Sequence, residues 1–233
     1  LMVGDKCYDI DGANKNSIDS CGVLYGYGSI DEFKDNNATY IAEKAEDIEA
    51  IARGFFEQTL TREEIFSGRV VTLYKDKVSL VNKKTTTREI IAHNGGVAVA
   101  GITENEEILL VCQFRAPYKE IVLEVPAGKL EKNEEPFSAI VREFKEECGA
   151  TAENYYDLGK LYPSPGYCGE IIHLYCATGI TYSSQNLDDD EFLDVKKIPL
   201  SKCVSMVMDG TIKDSKTIAC ILKVNELKKE KKI

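Results

Sequence analysis

The sequence predicts a mixed α/β protein in two parts, and three observations carry that reading. Residues 1–50 open as short strand, helix and short strand, a βαβ pattern. From Arg69 onward, β-branched runs broken by "YKDK" and "NKK" indicate an antiparallel meander. One helix with clear punctuation at both ends stands between "VPAGKLEKNEE" and "CGA". The composition shifts near residues 50–57, so the expected division is a segment 1–53 and a domain 54–233.

Taken in order, "LMVGD" reads as the end of a short buried strand and "DIDGANKNS" as a helix with small residues. "CGVLYGYGS" reads as a second strand running into a glycine-rich loop. "KAEDIEAIARGFFEQ" has apolar residues at helical spacing. In "TREEIFSG", Thr61 and Glu64 have capping-box spacing and mark a junction. "RVVTLYKDKVSLVNKKTTTREIIAH" is the meander, and "GGVAVAGI" and "EILLVCQF" flank "TENE" as a further hairpin. "EIIHLYCATGI" reads as a buried strand and "EFLDVKKIPL" as an alternating one. A helical end begins near Leu200 and finishes in the basic tail "KKEKKI", a solvated helix end.

Bulk composition narrows the function. With 233 residues and 43% hydrophobic content, the chain reads as globular. A net charge of −10 opposes binding to a nucleic-acid backbone and suits a protein that holds divalent cations. None of the eight cysteines forms a CxxC pair, and with only His93 and His173 a zinc site is not expected. Cysteines in apolar runs such as "LLVCQF" and "HLYCAT" read as packed free thiols in a reducing cytoplasm. No apolar run approaches a membrane span, no signal peptide is visible, and a membrane partner is not expected. The chain opens on Leu1 and reads as a piece of a longer protein or as the product of a gene truncated at its 5′ end.

The punctuated helix carries the chemistry. Pro136 suits its first turn and Gly149 the position past its end. Phe137, Ile140, Val141 and Phe144 form an apolar stripe, while Glu143, Glu146 and Glu147 crowd one face. A solvated acidic face softened by Lys145 is the bland reading. It leaves "VPAG", the spaced Glu134 and the adjacent Arg142 without explanation. Carboxylate oxygens on one rigid face are what Mg²⁺ needs, because it takes hard oxygen ligands and keeps waters that a phosphate can replace.

"GKLEKNEEPFSAIVREFKEECGA", Gly128 to Ala150, resembles the Nudix box, G-x5-E-x7-R-E-U-x-E-E-x-G-U. Gly128, Glu134, Arg142, Glu143, Glu146, Glu147 and Gly149 fall in place, with Phe144 and Ala150 as loose fits at the bulky positions. The resemblance implies an α/β/α sandwich that cleaves a diphosphate with Mg²⁺, or with Mn²⁺ in its place. It implies Glu143 and Glu147 as main metal ligands, Glu146 assisting, and a backbone carbonyl of Ala127 or Gly128. Arg142 would orient a carboxylate, and Glu134 would be a structural partner.

The flanks "LEVPAGKLE", "YPSPGYCGEIIHLYCATG", "DGTIKDSKTIACILK" and "SGRVVTLYKDKVSL" resemble the ADP-ribose pyrophosphatase branch, over about residues 56–223. That branch yields AMP and ribose 5-phosphate from a nucleoside diphosphate sugar, as a homodimer built with the meander. Its general base sits on a late acidic loop, here "NLDDDEFLD", with Glu191 first and Asp189 next, although each residue reads equally well as part of a solvated acidic turn. Arg115, Glu124 and Pro165 resemble substrate-contacting positions, although Arg115 and Glu124 read equally well as salt-bridge partners. Tyr167 reads either as a stacking ring or as a packed surface aromatic. Alternatives are GDP-mannose or dinucleoside polyphosphates as substrates, or a nucleotide-sensing module without catalysis.

"MVGDKCYDIDGANKNSIDSCGVLYGYGS" resembles the C-terminal quarter of a haloacid-dehalogenase-type phosphatase, near phosphoglycolate phosphatases. Asp5 and Asp9 match its "GDxxxD" metal element, and Ser17 departs from the usual Gly. The nucleophilic Asp of such enzymes would lie upstream of Leu1. An inactive segment with unprotected edge strands is therefore expected, derived from a phosphatase–Nudix fusion.

Overall fold

A computed structural model describes residues 1–187 and 192–233. The chain divides into two compact units, Leu1–Ser67 with Leu73–Ile90 and Gly68–Thr72 with Ile91–Ile233.

The first unit opens with β1 (Met2–Gly4), α1 (Cys7–Lys15), β2 (Ser20–Val23), α2 (Ile30–Asp35), β3 (Tyr40–Ala42) and α3 (Ala45–Arg53). The strands form a parallel sheet in the order β1-β2-β3, so the βαβ reading is observed. β1 was expected to be buried, yet Met2 and Val3 are 38% and 40% exposed, because β1 is the sheet edge. β2 is buried throughout and packs with Ala42 and Ile51. α3 stops at Gly54, which takes the left-handed conformation (φ 72°), so the expected helix loses its "FFEQ" end.

The same unit continues with β4 (Gln58–Ser67), β5 (Thr72–Ser79) and β6 (Thr85–Ala92), a meander in that order. The Leu80 N–H donates to the Lys84 carbonyl at 2.8 Å and closes the second turn. Thr61 and Glu64 lie inside β4, so no helix starts there and the capping-box spacing is coincidental. Strand pairing with β5 overrides a local signal worth about 1 kcal/mol. Arg62 pairs Asp76 through Nε at 2.8 Å and Nη2 at 2.7 Å and lies 4.7 Å from the Tyr74 ring centre.

The second unit contains β7 (Gly96–Gly101), β8 (Glu107–Arg115), β9 (Glu120–Glu124), β10 (Ala127–Lys129), α4 (Pro136–Cys148), β11 (Ala150–Leu161), β12 (Ile172–Tyr182), β13 (Leu193–Pro199), α5 (Leu200–Met208) and α6 (Ser215–Lys229). Two sheets result, β10-β7-β12-β11 and β13-β8-β9. β7 and β8 were expected to form a hairpin. They turn tightly, with the Thr103 N–H on the Glu107 carbonyl at 2.9 Å, but then join different sheets. β7 instead lies between β10, antiparallel, and β12, parallel.

Alternation along β7 sorts its side chains between two cores. Val97 and Val99 face α4 with Ile140 and Phe144, while Ala98 and Ala100 pack with Cys203, Cys220 and Ile221 of α5 and α6. Helices therefore cover both faces, giving the α/β/α sandwich. Burying Phe144 completely stabilises the α4 contact by roughly 1.5–3 kcal/mol, and Phe144→Ala would break it. The apolar stripe of α4 is shifted from the expected one. Ala139 and Cys148 join it, whereas Phe137 is 53% exposed and touches Tyr155 edge-on at 5.5 Å.

All eight cysteines are free. Burial pushes the Cys148, Cys176 and Cys220 thiols up to about 12 and Cys203 to about 11, which suits packed hydrophobes and not nucleophiles. Among the described residues, no helix is long and apolar enough to cross a membrane.

Candidate active site

The second unit encloses a cleft of about 1050 Å³. One wall is α4. Pro136 begins this helix and Gly149 ends it in the left-handed conformation (φ 57°), where a Cβ would meet the Ser183 carbonyl oxygen at 2.4 Å. The wall meets β10 at Gly128, where a Cβ would stand 1.8 Å from the Glu143 carboxyl carbon. A side chain at this position would displace the Glu143 carboxylate from where it rests. Glu147 is only 3% exposed, and its Oε2 accepts the Ala127 N–H at 2.9 Å.

Arg142 organises the carboxylates. Its Nη1 donates to Glu143 at 2.8 Å and to Glu146 at 3.0 Å. Its Nε and Nη2 donate to the two Glu134 oxygens at 3.2 and 3.1 Å. Burial works against the Arg142 charge, but Glu134, Glu143 and Glu146 outweigh it and keep the guanidinium protonated. The same contact holds the Glu134 carboxyl below the usual range. Glu134, an isolated letter in the sequence, also accepts the Glu131 N–H at 2.9 Å and so ties the loop before α4 to the site.

Arg115, Asp214 and Lys216 also line the cleft. Arg115 grips Glu124 with two hydrogen bonds, 2.6 and 2.8 Å. Lys216 donates to the same carboxylate and lies 3.0 Å from Asp214. Burial alone would raise the Glu124 carboxyl, but Arg115 and Lys216 outweigh it and hold it below its ordinary value. Arg115 and Lys216 line the cleft, whereas Glu124 stands behind them at 2% exposure. Asp214, Lys216 and Thr217 have no assigned role in the sequence reading. Locally they stand in "KDSKT". Its Asp-x-x-Thr spacing reads locally as a helix cap, and Asp214 is the N-cap of α6.

The cleft thus gathers Ala127, Arg142, Glu143, Glu146, Glu147 and Arg115. Pro165 is exposed and outside the lining, although Pro163, Ser164 and Tyr167 of its loop belong to it. Glu170 and His93 also line it. The His93 Nδ1 accepts the Gly95 N–H at 3.0 Å, so its 3.7 Å approach to Glu170 is not an ion pair through that atom. Glu191 and Asp189, the expected bases, lie outside the described residues.

The donor set suits a hard divalent cation, since it offers carboxylate and carbonyl oxygens beside open space. Glu143, Glu146, Glu147 and the Ala127 backbone are the groups that could hold one. In this arrangement no three His, Cys, Asp or Glu side chains among the described residues form a ready metal cluster. Glu143 and Glu146 are turned onto Arg142, so a cation would have to compete with that guanidinium.

A three-layer fold with this carboxylate helix beside a cleft defines a hydrolase class, and comparison with known proteins places the chain within it. The NUDIX domain family matches residues 92–218, and the chain belongs to that family, whose members generally use a divalent metal. The chain is 40% identical over 167 residues to an ADP-ribose pyrophosphatase of Bacillus subtilis, covering 71% of this chain and 90% of that protein. Over 181 residues it is 42% identical to a methanol dehydrogenase activator of Bacillus methanolicus, covering 76% and 98%. A GDP-mannose pyrophosphatase of Yersinia enterocolitica is 32% identical over 173 residues, covering 67% and 89%. The crystal structure of an ADP compounds hydrolase superposes with a TM-score of 0.68 at 21% identity, covering 76% of this chain and 97% of that one, and shows the same fold.

Proposed function

We propose that the protein hydrolyses the diphosphate of a nucleoside diphosphate sugar with Mg²⁺, and that ADP-ribose is the substrate, giving AMP and ribose 5-phosphate. One observation carries this reading: Arg142, Glu143, Glu146 and Glu147 of the motif line one cleft together with Arg115, whose guanidinium suits phosphate. The identity to the Bacillus subtilis ADP-ribose pyrophosphatase supports the choice of sugar nucleotide.

Mg²⁺, when bound by Glu143, Glu146, Glu147 and the Ala127 backbone, offsets diphosphate charge and lowers the pKa of an attacking water. Mn²⁺ would serve in its place. Arg142 holds the carboxylates on one side of the cleft and keeps their charge from repelling itself apart. Arg115, fixed on Glu124, presents a rigid guanidinium to the diphosphate. The base that takes the water proton is assigned to the 188–191 segment, with Glu191 first.

The unit of function is residues 54–233, in keeping with the share of the chain that aligns to the relatives. It acts as a homodimer in the cytoplasm. Leu60, Ile65 and Phe66 of β4 are 43%, 50% and 58% exposed, which favours a second copy covering the meander. No nucleic acid or membrane partner is invoked. Residues 1–53 are assigned to a haloacid-dehalogenase-type remnant, supported by the parallel sheet and by Asp5 directly after β1.

Purified protein with Mg²⁺ should convert ADP-ribose to equal amounts of AMP and ribose 5-phosphate. Faster turnover of GDP-mannose, dinucleoside polyphosphates or 8-oxo-dGTP would reject the substrate and keep the reaction class. A metal-saturated protein that turns over none of them would favour a sensing module.

A further inference from the structure

Three consecutive residues from the end of β9 into β10, Val125, Pro126 and Ala127, are each held by a different element. The Val125 N–H donates to Thr217 Oγ1 of α6 at 2.8 Å. The Pro126 carbonyl accepts the Val99 N–H of β7 at 2.9 Å. The Ala127 N–H donates to Glu147 of α4 at 2.9 Å. Thr217 is fully buried, and its hydroxyl donates a hydrogen bond to Asp214 Oδ2 at 2.6 Å. Capping α6 needs only the Thr217 backbone N–H on that carboxylate, 3.0 Å away. It needs neither a threonine at this position nor a contact reaching back to Val125. Lys216, 9% exposed, leaves the same helical turn for Glu124, whose carboxylate fixes Arg115.

We propose that Thr217 and Lys216 are positioning residues of the active site. Thr217 sets the segment whose Ala127 N–H fixes Glu147, and Lys216 sets Arg115 through Glu124. This rests on the reading of the cleft as a metal-dependent pyrophosphatase site. The physical reason is leverage. A buried Val125 N–H that loses its acceptor must move or stay unsatisfied, and it lies two residues from the Glu147 contact. Displacements of about 1 Å at such a site cost on the order of 10²-fold in rate.

The test compares Thr217→Val, which keeps the shape, with Thr217→Ser, which keeps the hydroxyl. The kcat and KM for ADP-ribose and the half-saturating Mg²⁺ concentration are measured. So is the Mn²⁺-induced rise in melting temperature of substrate-free protein. Thr217→Val should lower kcat and weaken cation half-saturation about 10–100-fold, the range for groups that orient metal ligands, with KM little changed. Thr217→Ser should restore most of both. Lys216→Met gives an independent arm: KM should rise about tenfold while Mn²⁺ half-saturation stays put, since the lost contact is to Glu124, the carboxylate that holds Arg115. The proposal falls if Thr217→Val keeps kcat and cation half-saturation, if Thr217→Ser fails to rescue them, or if Lys216→Met leaves KM unchanged. Wild-type protein that responds to Mn²⁺ but ignores ADP-ribose would reject the substrate reading alone, and the substrate-free comparison would still decide on Thr217. No Mn²⁺ response in wild type would overturn both.

Discussion

Two acidic groups, one in each unit, carry patterns that resemble metal-binding motifs, and the fold treats them differently. Around α4, Glu134, Glu143 and Glu146 converge on one guanidinium at the rim of a cleft, and Glu147 lies buried beside them. In the first unit, Asp9 caps its own helix by accepting the Lys6 N–H at 3.2 Å, and Asp5 accepts the Tyr27 N–H at 3.2 Å. Glu32 takes the Cys7 N–H at 2.8 Å. The first group is organised by a shared cation facing open space. The second serves its local backbone. A carboxylate becomes a candidate ligand when the surrounding fold brings it to a cavity in company, and residue type alone does not achieve that.

The largest expected effect tests this contrast directly. Glu147→Gln should lower kcat/KM for ADP-ribose by roughly 10³-fold, as expected when charge is removed from the reacting centre. Asp9→Asn should leave kcat/KM within about twofold, the surface-substitution range. Equal losses in the two variants would erase the distinction.

Arg142→Lys comes next. A lysine keeps the charge but cannot grip Glu134 with two parallel hydrogen bonds while reaching Glu143 and Glu146. Activity should fall about 10–100-fold with the fold intact by circular dichroism. Full activity would mean that charge, and not the fork geometry, organises the carboxylates.

Glu124→Gln probes the support of Arg115 and carries a pH signature. The folded pKa of Glu124 is depressed because Arg115 and Lys216 outweigh its burial. Its stabilisation is therefore present above the unfolded value of about 4.3 and disappears as pH falls through the lower folded value. The variant should lose about 2–3 kcal/mol at pH 7, short of a fully buried pair because Arg115 is 39% exposed. Denaturant titrations should show the wild-type advantage shrinking below pH 4. A difference constant from pH 7 to pH 3 would refute the ion-pair account.

The smallest effect belongs to the first unit. Asp9→Ala should remove the α1 cap and cost about 1 kcal/mol in urea unfolding, with ADP-ribose turnover unchanged. Loss of turnover would show that the Asp5–Asp9 element serves catalysis after all.

Much of the site was legible because its grammar is local. The Arg142-to-Gly149 spacing places Arg142, Glu143, Glu146 and Glu147 on adjacent turns of one helix whatever the helix packs against. Gly149 announced the end of α4, and Gly54 announces the end of α3 in the same way. Thr61 and Glu64 misled because a capping signal is weak beside the pairing of a ten-residue strand, β4. Glu124 and Arg115 had two readings, and each is a salt-bridge partner while Arg115 also faces the cleft. Thr217 and Lys216 gave no usable signal, since their partners lie 92 residues away along the chain.

By itself the sequence determined the family motif, the helix that bears it, its stop at glycine and the kind of ion its oxygens suit. Those properties depend on spacings of three or four residues and on side-chain chemistry. Only the tertiary structure decided that β7 would leave β8 to lie between β10 and β12. It also decided that α6 would reach back to the 124–127 segment and that Arg115 and Lys216 would line one cleft with the carboxylates. Contacts of that kind are chosen by which apolar faces bury together, and that choice is made over the whole unit at once.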